Sequence, residues 1–183
     1  MMQRLIEGQC FTRRDIAVLF GGNARAFLPR VNGGDIVAGC FDPDMNPRVP
    51  YEILVHNAPN AIRNAQRFLE QSTRKDSPPH RSGVAVKGSP AYEGGVASDA
   101  FSAADDGVVL SSHATALSSH SAIPVFLRRA PNVWEYVGRY RAVRYTEDPD
   151  QVSIRIYEIR PRIYERHVKA YGQIRGILFL EED

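Results

Sequence analysis

The sequence predicts an α+β domain, built as a curved, mostly antiparallel sheet or partly closed β-barrel with two or three packing helices. Three observations predict it. Strand-like runs and two helices, the second with an apolar stripe, alternate in the first 71 residues. From Ile123 onward the chain reads as a succession of strands, with apolar residues alternating along several of them. The 183 residues, 43% hydrophobic and 24% charged, suffice for one domain with a real core, taken here as 1–183.

Leu5 and Ile6 open a short strand. A helix follows from Arg13 to Phe20: Thr12 is a good N-cap, Asp15 completes a box-like pair, Phe11 can staple onto Ile16, and Gly21 supplies the stop. Asp35–Phe41 and Tyr51–His56 read as strands, and the proline-rich run between them as a loop. Pro59 starts a helix to Gln71, with Ala58, Ile62, Ala65 and Leu69 on its apolar stripe. The stretch 72–104 is rich in Ser, Gly, Pro and Ala and has no stripe of either period, so it is expected to be a mobile surface insertion. A short helix is expected over Ser112–Ser119. Ile123–Arg129, Val133–Tyr145 (with Gly138 as a bulge or bend), Val152–Ile159 and Ile174–Glu181 complete the strands.

Composition excludes several classes. No apolar run approaches the roughly 18–20 residues of a membrane span. The opening MMQRLIEGQC lacks the apolar region of a secretory signal, so a cytoplasmic location is expected, with Cys10 and Cys40 as reduced, inert, buried thiols. Walker, GxGxxG and GxSxG motifs are absent. His56, His80, His113, His120 and His167 show no zinc-like spacing. Asp42 and Asp44, with Asp35 upstream, are explained by a proline-rich turn as well as by a divalent ion. The expectation is a non-enzymatic protein without metal or cofactor.

Net charge is only +2, but lysine occurs only at 75, 87 and 169, which leaves 20 arginines among 23 basic residues. Residues 128–175 carry a net +5 and the remainder −3. A positive field concentrated in the last third hints at an anionic partner. The planar fork of Arg also suits phosphate. Arg128, Arg129, Arg139, Arg141, Arg160 and Arg162 are the phosphate-binding candidates.

Strict alternation along Val133–Tyr145 puts Trp134, Tyr136, Gly138, Tyr140 and Ala142 on one face. Such a face suits a core, and equally a pocket for a planar ring. Tyr136 and Tyr140 stand roughly 13 Å apart along a strand, so this strand alone cannot sandwich a base.

The stretch ATALSSHSAIPVFLRRAPNVWEYVGRYRAV resembles the late motif of SRA (YDG) domains, members of the PUA-like barrels. The match is carried by Ala116, Leu117, Ser118, Pro124, Val125, Arg128, Arg129, Tyr136, Gly138 and Tyr140, and more loosely by Gly8, Phe11, Arg13 and Gly33–Phe41. Two features depart from the family. Val137 replaces its aspartate, and HNAPNAIRNAQRFLEQ stands where its glycine-rich pocket stretch would be.

The resemblance implies a DNA-binding reader of a modified, flipped base in a bacterial defence or restriction setting, beside a nuclease partner and without a membrane. DNA is expected ahead of RNA. It also implies a pocket between the halves of the barrel, for which Asp35, Phe41, Asp42, Tyr51, Trp134, Tyr136 and Tyr140 are the candidates. The alternative is a protein-interaction module of the same fold that binds no nucleic acid.

Overall fold

The computed structural model describes residues 4–30, 34–74 and 122–183. In chain order the elements are β1 (Cys10–Phe11), α1 (Arg13–Phe20), β2 (Gly39–Phe41), β3 (Glu52–His56), α2 (Pro59–Thr73), β4 (Ile123–Ala130), β5 (Val133–Thr146), α3 (Pro149–Tyr157), α4 (Pro161–Tyr171) and β6 (Ile174–Glu182). All of these elements belong to a unit formed by Met1–Thr73 and Ala122–Asp183. The expected insertion (from residue 75 onward) and the expected helix Ser112–Ser119 lie outside the described residues, as do the motif positions Ala116, Leu117 and Ser118. Ser72 and Thr73, placed in the insertion by sequence, instead finish α2.

The fold is α+β with a six-stranded sheet in the order β2-β4-β5-β6-β3, and β1 adds to β5. Only the β2–β4 pair is parallel. The sheet is not closed, since β2 and β3 remain its two edges. Both edges nevertheless help line one small cavity, through Phe41 and Asp42 at the end of β2 and Ile53, Leu54 and His56 of β3. The sheet therefore curves.

Local chemistry explains the elements that sequence located correctly. Thr12 Oγ1 accepts from the Asp15 N–H at 3.1 Å, and Asp15 Oδ2 accepts from the Thr12 N–H at 2.9 Å. These reciprocal bonds satisfy two donors at the start of α1, and the Thr12 amide holds the Asp15 carboxyl below its usual range. In the two-residue connection between β4 and β5, Asn132 takes φ 56°, a left-handed value that asparagine tolerates, and its Oδ1 accepts from the Arg13 N–H. Gln71 of α2 acts as a strand partner for Ile36, accepting from its N–H at 2.7 Å and donating to its carbonyl at 2.9 Å.

The long strand β5 departs from strict alternation. Phe126 pairs with Tyr136 but Val125 pairs with Gly138, so Val137 is an extra residue, and Gly138 takes the φ of +123° that this bulge needs. An extra residue shifts the side-chain period by one. Trp134 and Tyr136 accordingly pack with Phe11, Ile16 of α1 and Phe126. Tyr140 and Ala142 pack on the opposite side with Phe41, Val125, Leu178 and the α2 residues Ala65 and Phe68. The expectation that all five residues share one face is corrected here; the expectation of a bulge at Gly138 holds.

Other boundaries need correction. Leu5 and Ile6 are not a strand; the first pairing comes at Cys10–Phe11. The expected strand Asp35–Phe41 pairs only over Gly39–Phe41, with a single bridge at Ile36. Val152–Ile159 is not a strand. Its residues form most of α3 and the turn after it, because Asp148 caps the helix by accepting from the Asp150 N–H and Pro149 fixes its first turn. Val152, Ile156 and Ile159 also recur at helical spacing, and they pack against Leu54, Ile174 and Ile177. Helix α4 had no counterpart in the sequence reading, so the described residues hold four helices rather than two or three. No helix among the described residues is long and apolar enough to cross a membrane.

Candidate nucleic-acid interface

Helix α4 begins at Pro161 with Arg160 as an N-cap that makes no side-chain capping bond. Ile163 and Tyr164 turn inward against the cluster of Leu54, Ile174 and Ile177. With that face fixed, Arg162, Arg166 and Lys169 fall on the solvent side at successive turns, with Glu165 beside Arg166. Arg160, Arg162, Arg166 and Lys169 are all exposed, and none forms an ion pair with another described residue. Glu165 is the one acid among them, so this surface keeps a clear positive excess.

The other arginines predicted to meet phosphate are engaged within the fold. Arg128 lies 3.1 Å from Asp42, Arg129 lies 2.6 Å from Glu135 and Arg141 lies 3.7 Å from Glu181. Arg139 donates to the Ala122 carbonyl. Of the six candidates, Arg160 and Arg162 are the two whose guanidinium groups are not engaged by another described residue. Arg166 and Lys169 were not singled out from sequence. The signal was present in their spacing from Arg162, but it is visible only once that stretch is known to be helical.

At the α3–α4 corner the remaining charges balance. Arg48 donates to both carboxylate oxygens of Glu158, at 2.7 and 3.1 Å, and holds that carboxyl below its usual range. Arg155 donates to Glu52 at 2.9 Å. Two arginines thus offset two glutamates, and Arg160 and Arg162 set the local sign.

The seven base-pocket candidates are divided among different places. Trp134 and Tyr136 sit in the cluster beside α1, and burial pushes the Tyr136 hydroxyl above its usual range. Arg13 stacks its guanidinium over the Trp134 ring at 5.1 Å. Phe41 and Tyr140 are core on the α2 side, and burial, aided by Glu182, pushes Tyr140 up to about 12. Tyr51 is exposed and meets Tyr140 edge-on, with ring centroids 6.0 Å apart. Asp35 pairs with Arg67 at 3.0 Å.

Phe41 and Asp42 do come together, in the small cavity between the sheet edges, with Phe27, Met45, Asn46, Ile53, Leu54, His56 and His167. Its volume is about 30 Å³, room for a water molecule or two but not for a nucleobase. His56 and His167 stack beside it with ring centroids 4.4 Å apart. Phe27 and Tyr171 pack around them. His56 Nδ1 lies 3.2 Å from the Gly172 carbonyl, whereas His167 Nδ1 is buried without a hydrogen-bond partner. Burial lowers the pKa of His56, and burial together with His56 lowers that of His167 to about 4. Both rings are therefore neutral at pH 7. No spacing rule links residues so far apart in the chain, which is why the pair escaped the sequence reading.

The two thiols differ. Cys40 is buried and its pKa is pushed up to about 12, as expected for an inert thiol. Cys10 is exposed, which corrects the expectation that both are buried. Its position on the two-residue edge strand β1 turns its side chain outward while Phe11 turns in. Among the described residues no group of three or more His, Cys, Asp or Glu is placed to hold a metal ion.

Comparison with protein-family models, with curated proteins and with solved structures finds no match to this chain.

Proposed function

We propose that the protein is a DNA-binding module that meets the phosphate backbone with the exposed face of α4. The observation that carries this reading is the set of four cations, Arg160, Arg162, Arg166 and Lys169, exposed on one short segment and without ion-pair partners among the described residues. A protein stabilises itself little by keeping like charges together, whereas a polyanion releases counterions on meeting them. The SRA-like stretch around Pro124–Tyr140 supports the same class of partner. That resemblance makes duplexes carrying modified cytosine the first ligands to compare with plain duplexes. The α2 side of the sheet is filled by Phe41, Ala65, Phe68 and Tyr140, so this reading puts the DNA on the helical surface rather than inside the sheet.

Fluorescence anisotropy on labelled DNA across a salt series tests it. Four phosphate contacts give a log–log salt slope of roughly −3 to −4, or about a hundredfold loss of affinity for a fourfold rise in salt. Arg162→Ala and Arg166→Ala should each weaken binding and flatten the slope by about 0.7–0.9. Arg128→Ala, whose guanidinium is held by Asp42, should change the slope less. Absence of binding at low salt, or a slope untouched in the Arg162→Ala/Arg166→Ala protein, overturns the reading.

A further inference from the structure

Tyr157, the last residue of α3, is 89% exposed, and Ile154, one turn earlier on the same face, is 56% exposed. Neither rests on the core that Val152 and Ile156 of the same helix join. Tyr157 is the most exposed large hydrophobic side chain among the described residues. Its position is fixed closely. The Glu158 and Ile159 N–H groups donate to the Arg155 and Ile156 carbonyls at 3.0 Å, and the Ile163 N–H donates to the Arg160 carbonyl at 3.0 Å. Tyr157 therefore stands across a single tight turn from Arg160, and Arg162 follows in the first turn of α4.

The charge around the ring is positive. Glu158, the nearest acid, is taken up by Arg48 and Arg155, and Glu52 by the same two arginines. Asp148 and Asp150 lie at the opposite end of α3, roughly 10–13 Å along its axis. A flat exposed ring with two free guanidinium groups across the following turn matches the requirements of a strand that offers phosphates and unstacked bases together. A duplex offers the phosphates but keeps its base faces covered. A protein surface complementary to this corner would need both acids and an apolar ridge, and nothing in the structure shows one.

We propose that Tyr157 is a stacking platform for an unpaired base, so that the α3–α4 corner takes single-stranded DNA in preference to duplex. This inference rests on the DNA-binding reading of α4 and specifies the form of DNA it takes. Arg160 and Arg162 hold the phosphates next to the stacked base, and Ile154 extends the platform along α3.

The test uses the full chain and two probes, a fluorescein-labelled oligothymidylate and a labelled duplex of the same length. Tyr157→Ala should weaken oligothymidylate binding roughly five- to a hundredfold, the range for loss of one base–aromatic stack. Tyr157→Phe should restore it, because the ring and not the hydroxyl makes the stack. Duplex affinity should be unchanged in both variants, while Arg160→Ala/Arg162→Ala should weaken both probes. Unchanged oligothymidylate binding by Tyr157→Ala, or an equal loss on both probes, overturns the stacking role. If the arginine variant still weakens binding in that case, the reading of α4 stands without it. Failure of both probes to bind wild-type protein at low salt overturns both readings. Tyr157 contributes nothing to the core, so thermal melts of the variants should coincide with wild type.

Discussion

Acid should loosen the seam between β3 and α4, because His56 and His167 are stacked there as neutral rings. The groups facing the pair are the Gly172 carbonyl, the rings of Phe27 and Tyr171, and Asp42, whose charge partly opposes the lowering at His167. An unfolded histidine titrates near 6.5, and His167 in the fold near 4. Folding thus favours the neutral ring. Its contribution to stability is intact above about pH 6.5 and is lost progressively as the pH falls towards 4. The full difference corresponds to roughly 3 kcal/mol. The ring is partly exposed, so solvent screening trims this to about 2 kcal/mol. For a chain of this size that is a fall in Tm of about 4–8 °C.

Carboxylates also titrate in this window, so the assay must isolate the histidine. His167→Phe does so. It keeps an aromatic ring against Phe27 and Tyr171, and it gives up no hydrogen bond at Nδ1, which has no partner. Thermal melts of both proteins from pH 7.5 to pH 4 should start close together and diverge by several degrees, the variant remaining the more stable. Parallel curves over that range would show that protonation of His167 does not strain the seam.

Two further predictions concern the core and the thiols. Tyr136→Ala removes a ring 5.6 Å from Phe126 in the cluster beside α1, so it should cost roughly 3–5 kcal/mol in a urea titration; a loss below about 1 kcal/mol would show that this ring is not core. A small alkylating reagent at neutral pH should modify Cys10 in the native protein and reach Cys40 only in denaturant; equal labelling rates would contradict the burial of Cys40.

The sequence was most legible where a single local device fixes the backbone. Thr12 and Asp15 specify the start of α1, and Pro59 the start of α2, whatever the rest of the chain does. Gly138 marks the bulge in β5 for the same reason. What the bulge does to the residues on either side was not legible, because the shift in register depends on the partner strand: Phe126 and Val125 decide that Tyr136 and Tyr140 point to opposite sides. The candidate pocket inherited that ambiguity. Asp35, Phe41, Asp42 and Tyr51 were gathered by resemblance to one cleft, yet Asp35 is held by Arg67 on α2 and Tyr51 meets Tyr140.

The misassigned segment Val152–Ile159 shows how much one local conformation decides about function. As a strand, its alternation would have buried Ile154 with Val152 and Ile156 and left Arg155 on the outer face as one more free cation. The Asp148–Pro149 cap selects a helix instead, and the roles are exchanged. Arg155 turns inward to Glu52, while Ile154 and Tyr157 turn outward to water. The chain thereby spends a cation on internal pairing and places an aromatic ring at the surface, directly before the turn that leads to Arg160 and Arg162. The same composition, folded the other way, would have offered only charge. The helix makes the α3–α4 corner a surface with both a ring face and unbalanced cations, and that combination is what separates a strand-binding platform from a merely basic patch.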